Sequence, residues 1–247
     1  TDPVVIKTMW DIVRRLGFKG GRVIEPAGGT GLFLAGMPVE FAQRSEITAV
    51  ELDKISGAIL DTVFSDLGVQ THIAGIEKAD VPHGFYDLAI SNCPFGEYMT
   101  LETRKVGYAN SSIHNYFFGK AVDLVRPGGL IVFVTSRFTM DSQSLTHRKW
   151  LDAHAEMLGA VRLPRNAFKK QANTEGVTDI IVMRKRPAPV FNMNSQWVQL
   201  GQAPIEMMRP GQSLTYWHPT HRRDMELNRS INAWYADRPG MVLGELE

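Results

Sequence analysis

Short apolar runs alternate with segments of helical spacing along most of this chain, and that alternation constrains its fold more than any other feature. Arg22-Val23-Ile24-Glu25, Ile47-Thr48-Ala49-Val50, Val69 to Ala74, Tyr86 to Ser91, Leu130 to Thr135, Ala160 to Leu163 and Thr178 to Met183 read as strands. Asp2 is placed as the N-cap of a helix that begins at Pro3 and carries Val5, Ile6, Met9, Trp10, Ile12, Val13 and Leu16 on one face. Further helices are expected from about Ile55 to Leu67 and from Leu145 to Leu158. Another is capped by Ser111 or Ser112, with Ile113, Tyr116, Phe117, Ala121, Leu124 and Val125 as its apolar face and Arg126-Pro127-Gly128-Gly129 as its end. Strands alternating with helices predict an α/β fold with an open, mostly parallel sheet covered on both faces. Ligands of such sheets bind beyond the carboxyl ends of the strands, near the topological switch point.

With 247 residues the chain fits one large domain, or one domain with an appendage. After Arg184-Lys185-Arg186 the composition turns polar and proline-punctuated, which divides the chain into residues 1–186 and an appendage or linker, 187–247. A short strand around Trp197 to Leu200 and a short helix from Ser230 to Ala236 are expected there, with Trp197, Trp217 and Trp234 as packing anchors. A net charge of +1 provides no global field for nucleic acid, so any basic surface must be local. The single cysteine, Cys93, fits a reducing cytoplasm better than secretion, and no apolar run is long enough to span a bilayer. Since Thr1 already reads as helix-entry sequence, a fragment of a longer protein is expected.

Two strand ends carry the chemistry. The first is Glu25 followed by the turn Pro26-Ala27-Gly28-Gly29-Thr30-Gly31. Gly29 and Gly31 let the backbone approach a ligand closely, and the helix start after them favours an anionic group. The dinucleotide fingerprint needs a third glycine where Leu34 stands. A second acid, Glu51 of Glu51-Leu52-Asp53, closes the next strand, where a carboxylate can hold both hydroxyls of a ribose. The alternative is a tight turn beside a solvated acid. The other strand end is Asn92-Cys93-Pro94-Phe95-Gly96. An amide oxygen and the following backbone carbonyl can accept both protons of one amino group. Pro94 stiffens the turn, and Phe95 offers a flat face for a planar group.

Asn92-Cys93-Pro94-Phe95 resembles the Asn-Pro-Pro-aromatic signature of amino-group methyltransferases, chiefly the DNA adenine-N6 enzymes. Cys93 replaces the first proline. A nucleophilic thiol is its rival role, but the catalytic cysteine of cytosine-C5 methyltransferases follows the proline and this one precedes it, so Cys93 is read as a small structural residue. The likeness extends through Ile113-His114-Asn115-Tyr116-Phe117-Phe118, Arg126 to Gly129, Thr135-Ser136-Arg137, Leu163 to Phe168 and Thr178 to Ile181. It reaches the tail at Ile231 to Tyr235 and Pro239 to Glu245. Together these segments are similar to adenine methyltransferase domains fused to superfamily 2 helicases in antirestriction and defence proteins of phages and mobile elements.

The resemblance implies a Rossmann-like class I fold with a seven-stranded, mostly parallel sheet, S-adenosylmethionine as cofactor, DNA as partner and a helicase region in a larger parent protein. Thr1 to Pro3 and the first helix would close over the methionine end of the cofactor, with Glu25 to Gly29 and Gly31 beneath it. Glu51, beside Leu52, would hold the ribose, and Ile76 or Glu77 would border the adenine ring. Asn92, the Cys93 carbonyl, Pro94 and Phe95 would hold a flipped target base. No metal is called for; His218-x-x-His221 has loose ligand spacing without a cysteine and reads as surface. The loop from Glu97 to Asn110, with Tyr98, Arg104, Lys105 and Tyr108, is placed for phosphate contact or for filling the vacated stack, or is simply a solvated loop. Arg162, Arg165, Lys169, Lys170 and Arg184 to Arg186 form either a basic rim or solvated surface. RNA adenine, a protein glutamine amide, or a lapsed enzyme that only binds remain rival readings.

Overall fold

The computed structural model describes residues 1–94, 106–109, 111–165, 167, 176–203, 207, 215–218, 223–226 and 230–243. Its frame is a seven-stranded sheet built from β1 (Gly21–Glu25), β2 (Ser45–Glu51), β3 (Gln70–Ile73), β4 (Tyr86–Asn92), β5 (Val125–Ser136), β6 (Ala155–Arg162) and β7 (Thr178–Lys185). The spatial order is β3-β2-β1-β4-β5-β7-β6, and the first five strands pair in parallel. β7 runs antiparallel to both β5 and β6. The order reverses between β1 and β4, so the switch point lies where Glu25 and Asn92 end their strands.

The pleat of the strands assigns two cores. Leu88 and Ile90 of β4 and Val132 and Val134 of β5 face one side, where α1 (Pro3–Arg15) supplies Val5, Ile6, Met9, Trp10 and Val13. Ala89, Cys93, Ile131 and Phe133 face the other. There α5 (Ile113–Leu124) packs Tyr116, Phe117, Phe118 and Ala121. Each such fully buried apolar side chain stabilises the fold by about 1.5–3 kcal/mol. α1 starts as expected: Pro3 occupies its first turn, and the Asp2 carboxylate accepts from the Val4 amide at 2.8 Å.

The elements between β1 and β4 are short. α2 (Leu32–Ala35) and α3 (Val39–Ala42) are single turns; α4 (Lys54–Phe64) is capped by Asp53, which accepts from the Ser56 amide. Ser112 stands at the N-cap of α5 but does not cap it, because its hydroxyl pairs with Nε2 of His114 at 3.0 Å. Arg126 to Gly129 do not precede the strand; they lie inside β5 as an irregularity, with Tyr86 opposite Val125 and Leu88 opposite Leu130. α6 (Phe138–Asp141) was not foreseen in the sequence. The helix expected to run to Leu158 ends early: α7 spans Thr146–His154, and β6 begins at Ala155, where pairing with Lys185 of β7 overrides the helical pattern.

Among the described residues beyond Lys185, no strand joins the large sheet, and Val242 makes an isolated bridge with Arg162. A 3-10 turn (Gln196–Val198) and β8 (Leu200–Gln202) replace the single strand expected near Trp197. β9 (Thr215–His218) and β10 (Arg223–Glu226) form a separate antiparallel pair. The expected helix from Ser230 splits into β11 (Ser230–Asn232), paired with β8, and the single-turn α8 (Ala233–Ala236). Trp197, Val198, Ile231 and Tyr235 are buried in the same core as α5, and the Trp197 indole donates to Asp152 of α7 at 3.0 Å.

Candidate active site

β1, β2 and β4 deliver Glu25, Glu51 and Asn92 to one rim of the sheet. The turn after β1 is tied down at several points. Gly28 donates to the Val50 carbonyl at 2.9 Å, Gly31 donates to the Gly28 carbonyl at 2.9 Å, and the Ser91 hydroxyl donates to the Ala27 carbonyl at 3.4 Å. Gly31 has φ +85°, and a Cβ there would lie 2.3 Å from the Phe64 ring. Gly29 has φ +54°, yet a Cβ there would meet nothing within 4 Å. Thus Gly31 serves packing, whereas the space above Gly29 is open. Because α2 is a single turn, little macrodipole stands behind this loop, and the anion preference expected of its N-terminus falls away.

Glu51 braces the turn rather than standing free in solvent. Its Oε2 accepts from the Gly29 amide and its Oε1 from the Asp53 amide, both at 2.7 Å. Each oxygen keeps a lone pair for a hydroxyl ligand. Glu25 is a different kind of acid: it is buried, and its Oε2 has no hydrogen-bond partner among the described residues. Burial, reinforced by the charge of Glu51, pushes its carboxyl well above the ordinary 4.5. Pro26 is buried and Ala27 half-buried beneath the turn, while Leu52 stays exposed. Ile76 is packed into the core with Ile24 and Val50, and Glu77 is half-buried beside it.

Asn92 shares the strand parity of Leu88 and Ile90, so its side chain is directed to the α1 face. There its Nδ2 donates to Oγ1 of Thr1 at 3.1 Å, and its Oδ1 is buried without a partner among the described residues. Sequence reasoning placed Thr1 over the cofactor and found no signal for this contact, which joins positions at opposite ends of the first half of the chain. Cys93 is fixed by its amide, which donates to the Val134 carbonyl at 2.9 Å. Its thiol is buried, and burial raises its pKa well above the usual value, so a thiolate nucleophile is disfavoured. Pro94 is half-buried next to it. Phe95, Tyr98, Arg104, Lys105, Lys169, Lys170 and His221 lie outside the described residues. Tyr108 is buried against Tyr116 and Trp150 and donates to Asp123 at 2.5 Å, so its ring belongs to the core rather than to a phosphate surface.

Of the residues offered for a basic rim or a solvated surface, the described Arg162 and Arg184 to Arg186 do not form a rim together. Arg162 is buried in an ion cluster, paired with Asp179 at 2.9 Å and with Asp141 at 2.8 Å. Arg184 to Arg186 lie at the opposite edge, since β7 descends from the rim at Thr178 and ends away from it. Among the described residues no cluster of three or more His, Cys, Asp and Glu is placed to hold a metal ion. None of the described helices is long and apolar enough to cross a membrane.

The fold is shared with solved structures. A protein from Listeria monocytogenes assigned to the class I S-adenosylmethionine-dependent methyltransferases superposes with a TM-score of 0.60 and 18% identity, over 78% of this chain and 62% of that one. The chain has the class I methyltransferase fold. Within that fold the EcoKI M protein of a type I restriction enzyme aligns with a TM-score of 0.64 and 16% identity, covering 78% of this chain and 46% of that one. By sequence, the chain is 31% identical over 192 residues to the defense against restriction protein B of Escherichia phage P1. That alignment takes in 76% of this chain and only 8% of the phage protein. An rRNA N(6)-adenosine-methyltransferase of Caenorhabditis elegans is 24% identical over 191 residues, which are 74% of this chain and 84% of that protein. No family profile matches the domain.

Proposed function

We propose that this domain transfers a methyl group from S-adenosylmethionine to the N6 amine of an adenine flipped out of DNA. The observation that carries the reading is the buried, unpartnered Asn92 Oδ1, which ends β4 at the switch point beside the glycine turn. The residues present fit the cofactor. Open space lies above Gly29, Glu51 keeps lone pairs for ribose hydroxyls, and the orphaned Glu25 Oε2 suits a cationic ammonium. S-adenosylmethionine supplies a methyl group already activated on a sulfonium. What remains for the protein is alignment and exclusion of water.

Asn92 Oδ1 accepts one N6 proton and the Cys93 carbonyl the other. Both bonds strengthen as positive charge develops on nitrogen, and they favour a more tetrahedral, nucleophilic amine. Pro94 holds the two acceptors in register, and Phe95 stacks on the base. Likeness to a type I modification subunit and to a phage protein of defense against restriction supports DNA as the substrate and a longer parent, whereas a helicase region in that parent rests on the sequence resemblance alone. RNA adenine is the second reading, favoured by the worm rRNA methyltransferase, whose length this chain largely spans.

Tritiated cofactor offered with DNA or with RNA decides between them, and label in RNA alone would overturn the choice. Asn92→Ala is expected to lower turnover about a hundredfold or more, while calorimetry finds cofactor affinity nearly intact. Retained turnover would remove Asn92 from its role, and absence of cofactor binding by the folded chain would make the domain a binding module.

A further inference from the structure

An amide side chain has two faces, and only one of them helps the reaction. With its oxygen toward the pocket, Asn92 accepts a proton from the incoming amine. Rotated by half a turn, it would set two N–H donors against an amine that is itself a donor. What holds the amide therefore decides whether the site is complementary or repulsive. In the structure the Nδ2 of Asn92 donates to Oγ1 of Thr1 at 3.1 Å, and Oδ1 is left buried and unpartnered. Thr1 is brought there by the fold. Asp2 caps α1, Pro3 fixes its first turn, and the Trp10 indole donates to the Phe33 carbonyl at 3.0 Å, clamping the helix to the segment after the glycine turn. Strand parity turns Asn92 to the same face.

We infer that Thr1 is a positioning residue, whose hydroxyl tethers the Asn92 side chain beside the acceptor amine. The inference rests on the proposed role of Asn92 and assigns Thr1 to the substrate half of the site rather than to cofactor binding. The hydroxyl does so by accepting the Nδ2 proton. Losing it removes the tether on the amide, which then spends less time with Oδ1 placed for the amine. One neutral hydrogen bond of this kind contributes about 1 kcal/mol, or a factor of five to ten in turnover.

The test compares Thr1→Val, which keeps the shape and removes the hydroxyl, with Thr1→Ser, which keeps the hydroxyl, and with Asn92→Ala. Thr1→Val is expected to lower kcat about five- to tenfold with cofactor Kd unchanged by calorimetry, and Thr1→Ser is expected to restore kcat. A weakened cofactor Kd with unchanged kcat would return Thr1 to the cofactor, and an unaffected Thr1→Val or a failed rescue by Thr1→Ser would overturn the inference. Full turnover by Asn92→Ala would instead overturn the reading on which it rests. Equal urea midpoints for the Thr1 variants separate positioning from folding.

Discussion

At the scale of single residues, the two acids of the rim have opposite characters. Glu51 accepts from two backbone amides, whereas Glu25 is buried with a bare oxygen. A carboxyl whose folded pKa lies above its unfolded value binds protons more tightly when folded. Its contribution is complete below pH 4.5 and is lost as pH rises through the folded pKa. Glu25→Gln is therefore expected to match the parent protein in stability below that pH and to exceed it increasingly above, as read by urea midpoints across pH without cofactor. The acidic residue at this position was legible in the sequence because it follows a strand and precedes a glycine turn. Its protonation was not, since that depends on how completely Pro26, the turn and the sheet exclude water. Cys93 is similar: chain order argued against a nucleophile, and only burial of the thiol supplied the physical cause.

Among the elements, the glycine turn shows how one motif divides its labour. Gly31→Ala forces a left-handed conformation on alanine and drives a methyl into Phe64, a core residue with little room to move. It is expected to destabilise the fold by about 2 kcal/mol or more, a strain of about 1–2 kcal/mol plus overlap. Gly29→Ala carries the backbone strain alone, about 1–2 kcal/mol, and places its methyl in the open space over the turn. Its larger effect is expected in calorimetry, as weaker cofactor binding. The sequence could not tell these glycines apart, because the difference comes from α4, which packs Phe64 beneath one and leaves the other clear. Helices were legible where caps and periodicity agreed, as in α1, whereas the helix expected to reach Leu67 ends at Phe64 and passes into a 3-10 turn. They were misjudged where a strand partner prevailed: β6 takes Ala155 to Leu158 because β7 pairs with it on both sides of an irregularity between Met157 and Gly159.

For the whole molecule, the decisive contacts join distant segments. Arg162 of β6 pairs with Asp179 of β7 and Asp141 of α6, its guanidinium lies over the Tyr235 ring, and Asp141 accepts from the Asn232 amide at 3.0 Å. This buried cluster fastens the C-terminal segment to the rim that carries Asn92. Arg162→Met strands the buried Asp179 and the partly buried Asp141 and is expected to cost about 3–5 kcal/mol in urea unfolding, part of which Asp179→Leu in the same chain should return. In the sequence Arg162 was one basic residue among several near a strand end, since charge reports no partner until the sheet is assembled. By itself the sequence determined the alternation of strand and helix, and with it a parallel sheet whose acids, glycines and amide gather on one rim. Those features are local, written in periodicity and in residues at strand ends. Only the tertiary structure decided that β7 inserts antiparallel between β5 and β6, that Arg162 is buried while Arg184 to Arg186 face away from the site, and that Thr1 meets Asn92. Pairing and burial are settled by competition among segments far apart in the chain, and no local pattern records the outcome.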